Sequence, residues 1–461
     1  MIRMLQDVKK LIPERHPLRL LWHYGKALLA ATLYGFPARK LKVIGVTGTD
    51  GKTTTVGMLT SILERAGFRV GAVSTAYFHR PLKHQENASH LTSISPFVLQ
   101  RFLRTLLSEE CTHVVIECSS HGLVQGRLHY TWPSVTAITN TSPEHLDYHG
   151  SMEQYRRDKG MLFRMLRRSG TKVLNGDDAT FALYRPMPSE RTVVYSARHQ
   201  DPDPTATISL WLTHTDIGAA GSAAILHLRQ GTGTPREFLL CLAITGLFNL
   251  ENALCAIACT QAMGIPITTC LQALRTFSGI PGRLERIEEG QPFDVFVDFA
   301  VTAKAYEKTL TTLRTMVEPR EGRVLVLCSC CGNRMREKRP EVGRVCSAFA
   351  DVVVVTEDET YGEDPYAVLE EVWAGVDQKR TQAFKIFDRR EAIAFLLREA
   401  KPGDAVVLCG MGPFTTMTRL EGRIPWDERE VARELLRELL TTKAKVLNFS
   451  SPSSDRARSS C

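Results

Sequence analysis

The chain has 461 residues, 43% of them hydrophobic and 23% charged, with a formal net charge of +8. That balance excludes a disordered or low-complexity chain and leaves room for two or three domains with buried cores. The positive excess suits phosphate-bearing small molecules, but no aromatic-and-basic cluster accompanies it, so nucleic acid is not an expected partner.

Residues 1–40 read as a short, basic, helical N-terminal segment. Its apolar stretch, residues 18–36, is interrupted by His23 and Lys26. It therefore reads as an amphipathic helix packed on the body rather than a spanning one; contact with a membrane is open to such a helix but not expected. Residues 42–46 form an apolar strand that runs into a Gly/Thr-rich loop and a helix through Arg65. A strand over 69–74, a loop over 79–96, a helix over 97–108 and a strand over 113–116 follow. A charged helix over 151–168 and a strand over 171–174 complete the alternation, which predicts a doubly wound, mostly parallel α/β sheet. Residues 185–236 carry short alternating runs (206–212 and 223–228) and read as an antiparallel appendage, and 248–263 as a helix.

Pro and Gly over 279–283 mark a hinge. Beyond it, strands at 295–298, 324–328, 352–356, 383–387 and 405–409 predict a smaller Rossmann-like α/β domain. The expected organisation is a short helical segment (1–40), a central P-loop domain (41–282), a C-terminal domain (283–445) and a polar, Ser-rich disordered tail (446–461). Twelve cysteines, among them Cys241, Cys255, Cys259 and Cys409, lie mostly in apolar surroundings without disulfide-framework spacing, so reduced thiols in a cytoplasmic compartment are expected. Cys328, Cys330 and Cys331 cluster but lack a paired C-x-x-C, so no zinc site is expected.

Three motifs carry chemistry. The first is Gly48-x-x-Gly51-Lys52-Thr53 between an apolar strand and a helix. Its glycines let the backbone approach phosphate oxygens, the helix N-terminus presents N–H groups, Lys52 supplies a point charge, and Thr53 or Thr54 offers a hydroxyl to magnesium. It is shorter than the common Walker pattern, whose first glycine would fall at Val46. The second is Glu117 at the end of strand 113–116, followed by Cys118-Ser119-Ser120-His121; a carboxylate there lies on the rim where α/β sheets bind ligands. The third runs Asn140-Thr141-Ser142-Pro143-Glu144-His145-Leu146-Asp147-Tyr148-His149, with Tyr155 and Lys159 on the next helix.

Together these blocks resemble the Mur ligase family, and within it the MurE-like UDP-N-acetylmuramoyl-tripeptide synthetases. Residues 45–55 resemble GVTGTNGKTTT, residues 117–127 EVSSHAL-x-QGR, and residues 139–150 with Tyr155 and Lys159 TNL-x-x-DHLDYHG…Y-x-x-x-K. Phe248-Asn249-Leu250-Glu251-Asn252-Ala253, Pro281-Gly282-Arg283-Leu284-Glu285 and Gly332-Asn333-Arg334 with Lys338-Arg339-Pro340 resemble further family blocks. The likeness runs in order over residues 41–440, where segments 388–393 and 424–432 match C-terminal landmarks.

The resemblance implies an ATP-dependent ligase, using ATP and Mg2+, that adds an amino acid to a UDP-N-acetylmuramoyl-peptide-like carboxylate through an acyl phosphate in peptidoglycan and cell-wall synthesis. It implies ATP contacts from Gly48, Thr49, Asp50, Gly51, Lys52, Thr53 and Thr54, from Asn249 and Asn252 by the adenine, and from Arg283 and Asp298. It implies metal ligands Thr53, Glu117, His145 and Lys159, the last as a carbamylated lysine, with Lys52, His145 and Lys159 catalytic. Thr92, Ser93, Ser119, Arg127, Asp358 and Glu359 are the expected substrate contacts. The partners are a small-molecule peptidoglycan precursor and an amino acid, and a monomer is expected.

The sequence departs from the family at four places. The family's N-terminal uridine-binding domain is longer than what precedes residue 42, so residues 1–40 are not expected to form it. DYAHTPD reads Asp298-Phe299-Ala300-Val301-Thr302-Ala303-Lys304. The acceptor loop TTPDP reads Thr92-Ser93-Ile94-Ser95-Pro96. The amino-acid signature DNPR reads Asp358-Glu359-Thr360-Tyr361, and GKGHE reads Gly410-Met411-Gly412-Pro413-Phe414. An arginine able to pair with a substrate carboxylate is missing, while Asp358 and Glu359 bring negative charge, so lysine or ornithine is expected over diaminopimelate. The alternatives are a Mur-type ligase acting on a lipid-linked or other carboxylate acceptor, and an ATP-binding protein that has lost ligation.

Overall fold

The computed structural model describes residues 13–87, 89–218 and 220–449, with side chains through residue 442. The described residues divide between Ile280 and Pro281 into two compact units.

The first unit is built on one eleven-stranded sheet. Its strands are β1 (Lys42–Thr47), β2 (Val70–Val73), β3 (Tyr77–Arg80), β4 (Lys83–Glu86), β5 (His113–Glu117), β6 (Val135–Ile138), β7 (Thr171–Asn175), β8 (Arg191–Ser196), β9 (Ile208–Gly218), β10 (Gly221–Gln230) and β11 (Arg236–Leu242). They lie in the order β11-β10-β9-β8-β7-β6-β1-β5-β2-β3-β4. Strands β9 through β2 in that order run parallel, and antiparallel neighbours close both edges. Side chains alternate across a strand, so β1 sends Ile44 and Val46 to one face and Val43 to the other. The first face is covered by helices Lys52–Arg65, Leu247–Ala262 and Ile267–Arg275, the second by Pro96–Ser108 and the short helices that carry Leu123 and Leu162.

The doubly wound parallel sheet forms as the sequence predicts; of the 185–236 appendage, β9–β11 is antiparallel, whereas β8 is a parallel strand of the main sheet because it pairs with β7 and β9. The 79–96 loop does not form as predicted: part of it belongs to the β3–β4 hairpin. The 151–168 helix is also broken, into Met152–Lys159 and Met161–Arg164, with Gly160 capping the first piece. The N-terminal helix runs Pro17–Leu33; residues 1–12 lie outside the described ones.

The second unit holds six strands: β12 (Glu285–Arg286), β13 (Asp294–Asp298), β14 (Val324–Cys328), β15 (Val352–Val355), β16 (Gln382–Lys385) and β17 (Ala405–Cys409). Their order is β12-β13-β17-β14-β15-β16, parallel except at β12. A hairpin of β18 (Thr416–Arg419) and β19 (Gly422–Pro425) follows. Helix Glu428–Phe449 extends through residues 446–449, the first part of the segment expected to be disordered. Helices of that length persist because one face packs, here through Ala432 and Leu436 in the core. Residues 450–461 lie outside the described ones.

This unit is fastened by a fully buried ion pair. Arg389 donates to both oxygens of Glu428, at 2.8 and 2.6 Å, and to the carbonyls of Glu357 and Cys409. Removing one partner leaves a charge in a medium that cannot solvate it. Glu428→Ala is therefore expected to lower stability by about 3–5 kcal/mol, read from denaturant unfolding; a loss below 1 kcal/mol would show the pair behaving as an exposed one.

Candidate active site

The carboxyl ends of β2, β5, β1 and β6 stand side by side, and each contributes a loop residue to one cluster. After β5 the chain reverses past β1 to reach β6, and a parallel sheet opens a ligand crevice beside such a reversal. The loop after β1 is shaped by two glycines. Gly48 has φ +146° and Gly51 φ +80°, conformations that side chains resist. Space enforces them as well: a Cβ on Gly48 would meet Thr139 Oγ1 at 1.8 Å, and one on Gly51 would meet Asn252 Oδ1 at 2.1 Å.

Gly51 caps helix Lys52–Arg65, whose first turn carries Lys52, Thr53 and Thr54. The free N–H groups of that turn and the helix dipole favour an anion at this end. The loop is tied to β6, since Asp50 N–H donates to Asn140 Oδ1 at 3.1 Å and Thr139 Oγ1 donates to Asp50 O at 2.6 Å. Thr49 Oγ1 sits 3.1 Å from the Tyr155 hydroxyl, and Lys52 Nζ donates to Thr49 O at 2.6 Å.

Glu117, at the end of β5, is buried. It accepts from Thr53 Oγ1 at 3.0 Å, from Thr75 N–H at 2.7 Å and from Thr75 Oγ1 at 3.0 Å. Thr75 Oγ1 also lies 2.9 Å from Thr92 Oγ1. Ser93 joins the same patch: its Oγ accepts Ser119 N–H at 2.9 Å and its carbonyl accepts Arg127 Nη1 at 2.7 Å. The expected ligand of the metal and the expected acceptor loop are thus one hydrogen-bonded chain, Thr53–Glu117–Thr75–Thr92. Thr75 was not among the sequence candidates. Its signal was its place just past a parallel strand, on the rim that holds Glu117.

Lys159 is buried, donates to Gly48 O at 2.6 Å and lies 4.3 Å from the Tyr155 ring centroid. Desolvation and the charge of Lys52 push its pKa well below the ordinary lysine value. The neighbouring Asp158 is held at about 2: burial would raise it, but hydrogen bonds from His149, Arg15 and Gln154 outweigh that. His145 has φ +55°, unusual for a side-chain-bearing residue, and stands edge-on to His121 with ring centroids 4.7 Å apart. Among the described residues no group of three His, Cys, Asp or Glu side chains is arranged to hold a metal. The oxygen donors still fit magnesium, which keeps several waters and needs one or two carboxylates: the Thr53–Glu117 pair is in place, and a carbamate on Lys159 would add another carboxylate.

Of Asn249 and Asn252, both expected by the adenine, Asn252 lies against the loop at Gly51. Asn252 Nδ2 donates to Asn249 Oδ1 at 3.3 Å and Asn249 Nδ2 to Thr245 O at 2.8 Å.

The remaining candidates belong to the second unit. Asp298 accepts Leu284 N–H and Thr309 Oγ1, each at 2.9 Å, and Arg283 stacks 4.4 Å from the Phe299 ring centroid. Asp358 and Glu359 do not face outward. Asp358 accepts Ser329 Oγ at 2.6 Å; Glu359 accepts Thr418 N–H at 3.1 Å and the Tyr361 hydroxyl, and burial raises its pKa. The negative loop inferred from sequence is therefore corrected, because its first two carboxylates are spent inside the fold. The exposed charges near Tyr361 are the guanidinium of Arg334, 5.4 Å from the ring centroid, and the carboxylate of Asp364, which caps the next helix.

Residues 46–260 match the Mur ligase middle domain and residues 282–412 the Mur ligase, glutamate ligase domain. The chain is 35% identical, over 89% of its length and 82% of the relative's, to a UDP-N-acetylmuramoyl-L-alanyl-D-glutamate--2,6-diaminopimelate ligase of Geobacillus thermodenitrificans. It is likewise 35% identical to a UDP-N-acetylmuramyl-tripeptide synthetase of a Roseiflexus species, over 90% of this chain and 82% of that one. A solved structure of a UDP-N-acetylmuramoyl-L-alanyl-D-glutamate--2,6-diaminopimelate ligase superposes with a TM-score of 0.58 at 28% identity, covering 87% of this chain and 79% of that one. The P-loop rim, the two α/β units and these matches together make the chain a member of the Mur ligase family.

Proposed function

We propose that the protein is an ATP-dependent ligase that joins an amino acid to the carboxylate of a UDP-N-acetylmuramoyl-peptide, in peptidoglycan precursor synthesis. The observation that supports this most is the Thr53–Glu117–Thr75–Thr92 chain, which ties the phosphate-binding helix to the loop read as the acceptor site.

A carboxylate does not accept an amine at neutral pH without activation. The acceptor oxygen attacks the γ-phosphorus of ATP, the bond to the β-phosphate oxygen breaks, and ADP leaves an acyl phosphate. The incoming amine attacks the acyl carbon and loses a proton, and inorganic phosphate departs as the amide forms. The loop's N–H groups and Lys52 hold the phosphates in line, the positioning and charge neutralisation on which phosphoryl transfer depends. Thr53, Glu117, His145 and a carbamylated Lys159 would hold magnesium, which supplies neutralising charge between the γ-phosphate and the carboxylate. The hydrogen bonds that join Thr49 and Asp50 to Thr139 and Asn140, just past β6, keep that loop from drifting as charge develops.

For the amino acid, the burial of Asp358 and Glu359 and the exposure of Arg334 support diaminopimelate over lysine. With the acids bonded inside and a guanidinium exposed, the loop suits a side chain that ends in a carboxylate, as in the diaminopimelate named for the relatives. The expected result is ADP release that requires both a UDP-muramoyl-dipeptide and an amino acid, and that is faster with diaminopimelate than with lysine at matched concentration. Equal or faster turnover with lysine overturns the amino-acid assignment. ADP release indifferent to the acceptor, or none at all, overturns the ligase reading itself.

A further inference from the structure

The N-terminal helix carries its apolar side outward. Helix Pro17–Leu33 packs through Ala27, Ala30 and Ala31, and Tyr24 donates to Val124 O at 3.3 Å and stacks on His129. Small residues are what a helix needs on the side that meets a body closely. On the other side Leu18, Leu21, Trp22, Leu28, Leu29 and Leu33 are between 47 and 67% exposed. At 3.6 residues per turn they fall within an arc of about 140°. One large exposed apolar side chain is ordinary; six on one stripe of one helix are a surface meant to be covered.

Charge indicates what covers it. The helix contains no Asp or Glu. In the sequence, residues 1–42 hold nine Lys and Arg against two Asp and Glu, so seven of the chain's eight excess positive charges fall in its first 42 residues. Arg19, paired with Glu14 at 3.3 Å, and Lys26, with its ammonium 5.8 Å from the Trp22 ring centroid, lie together along one edge of the stripe. A second copy of the same face would bring these charges together and gain nothing from them, whereas an anionic bilayer satisfies both the stripe and the charge. Among the described residues no helix is long and apolar enough to cross a membrane, so the geometry is that of a helix lying in the headgroup boundary with its leucines down.

We propose that helix Pro17–Leu33 docks the protein on anionic lipid surfaces through Leu18, Leu21, Trp22, Leu28, Leu29 and Leu33, with Arg19 and Lys26 at the headgroups. The proposal does not rest on the ligase reading, because the stripe lies outside the P-loop rim.

The test is co-sedimentation of the full chain with vesicles of phosphatidylcholine alone and of phosphatidylcholine with about one-third phosphatidylglycerol. The expected result is binding to the anionic vesicles that weakens with salt, and binding at least tenfold weaker to the neutral ones. The double variant Leu21→Glu/Leu29→Glu should bind the anionic vesicles at least tenfold more weakly, with the same melting curve and the same rate of ADP release on soluble substrates. Arg19→Gln/Lys26→Gln should bind with a reduced salt dependence. Sedimentation equilibrium without lipid covers the competing occupant. A dimer dissociated by Leu21→Glu/Leu29→Glu would make the stripe an interface between copies and overturn the proposal. Failure of wild-type protein to bind either vesicle, or equal binding by the double variant, overturns it as well.

Discussion

Lys52→Ala is expected to lower ATP turnover by about a thousandfold while leaving the melting curve where it was. The lysine side chain is only partly buried, and its ammonium hydrogen-bonds the Thr49 carbonyl of its own loop at 2.6 Å, so the fold gives up little when it goes. The γ-phosphate gives up its point charge at the moment charge is redistributed, and the helix N-terminus cannot move to replace it. The measurement is ADP release at saturating acceptor and amino acid, beside thermal unfolding. Turnover at the wild-type rate would remove the Gly48–Thr53 loop from the chemistry.

Lys159→Ala is expected to cost about a hundredfold or more in kcat. The amine is buried, its protonated form is disfavoured by desolvation and by Lys52, and it faces the Gly48 carbonyl rather than a carboxylate. An unprotonated amine can attack carbon dioxide, forming an N–C bond and releasing a proton, which leaves a carbamate with the charge and shape of an acidic side chain. The alanine variant cannot be rescued by bicarbonate, since no amine remains, but acetate should restore part of the rate by occupying the vacated space. Lys159→Arg should be equally inactive, because a guanidinium does not carbamylate. Acetate rescue separates this role from a merely structural one, and full activity in Lys159→Ala would end the carbamate assignment.

The sequence carried the first unit's centre well, because glycine, lysine and threonine between an apolar strand and a helix leave few other arrangements. Its failures share a cause, which is that burial is not written in residue type. The β3–β4 hairpin reads as a loop since His79, Arg80, Lys83, His84, Gln85 and Glu86 are polar on both faces of an edge. Asp358 and Glu359 read as negative charge offered to a substrate, and only the fold reveals Ser329, Thr418 and Tyr361 waiting for them. Residue type does not single out Thr75, because its meaning lies in β5, about forty residues downstream. Residues 151–168 read as one helix because charge continues across Gly160, where the first helix ends.

The strand order of the first unit also bears on how the chain is made. β1 finds its two neighbours in β5 and β6, which end at Glu117 and Ile138. A ribosome that has completed the phosphate loop has therefore made an apolar strand with nothing to pair against, and neither Thr139 nor Asn252, which seat the two glycines, yet exists. The surroundings that hold Gly51 in its left-handed conformation are complete only after residue 252 has emerged. The β3–β4 and β9–β10–β11 segments, by contrast, close on their own neighbours. During synthesis only the β3–β4 edge can close before the middle of the sheet has its partners, and the phosphate loop gains its last seat, Asn252, after every strand of the sheet has been made.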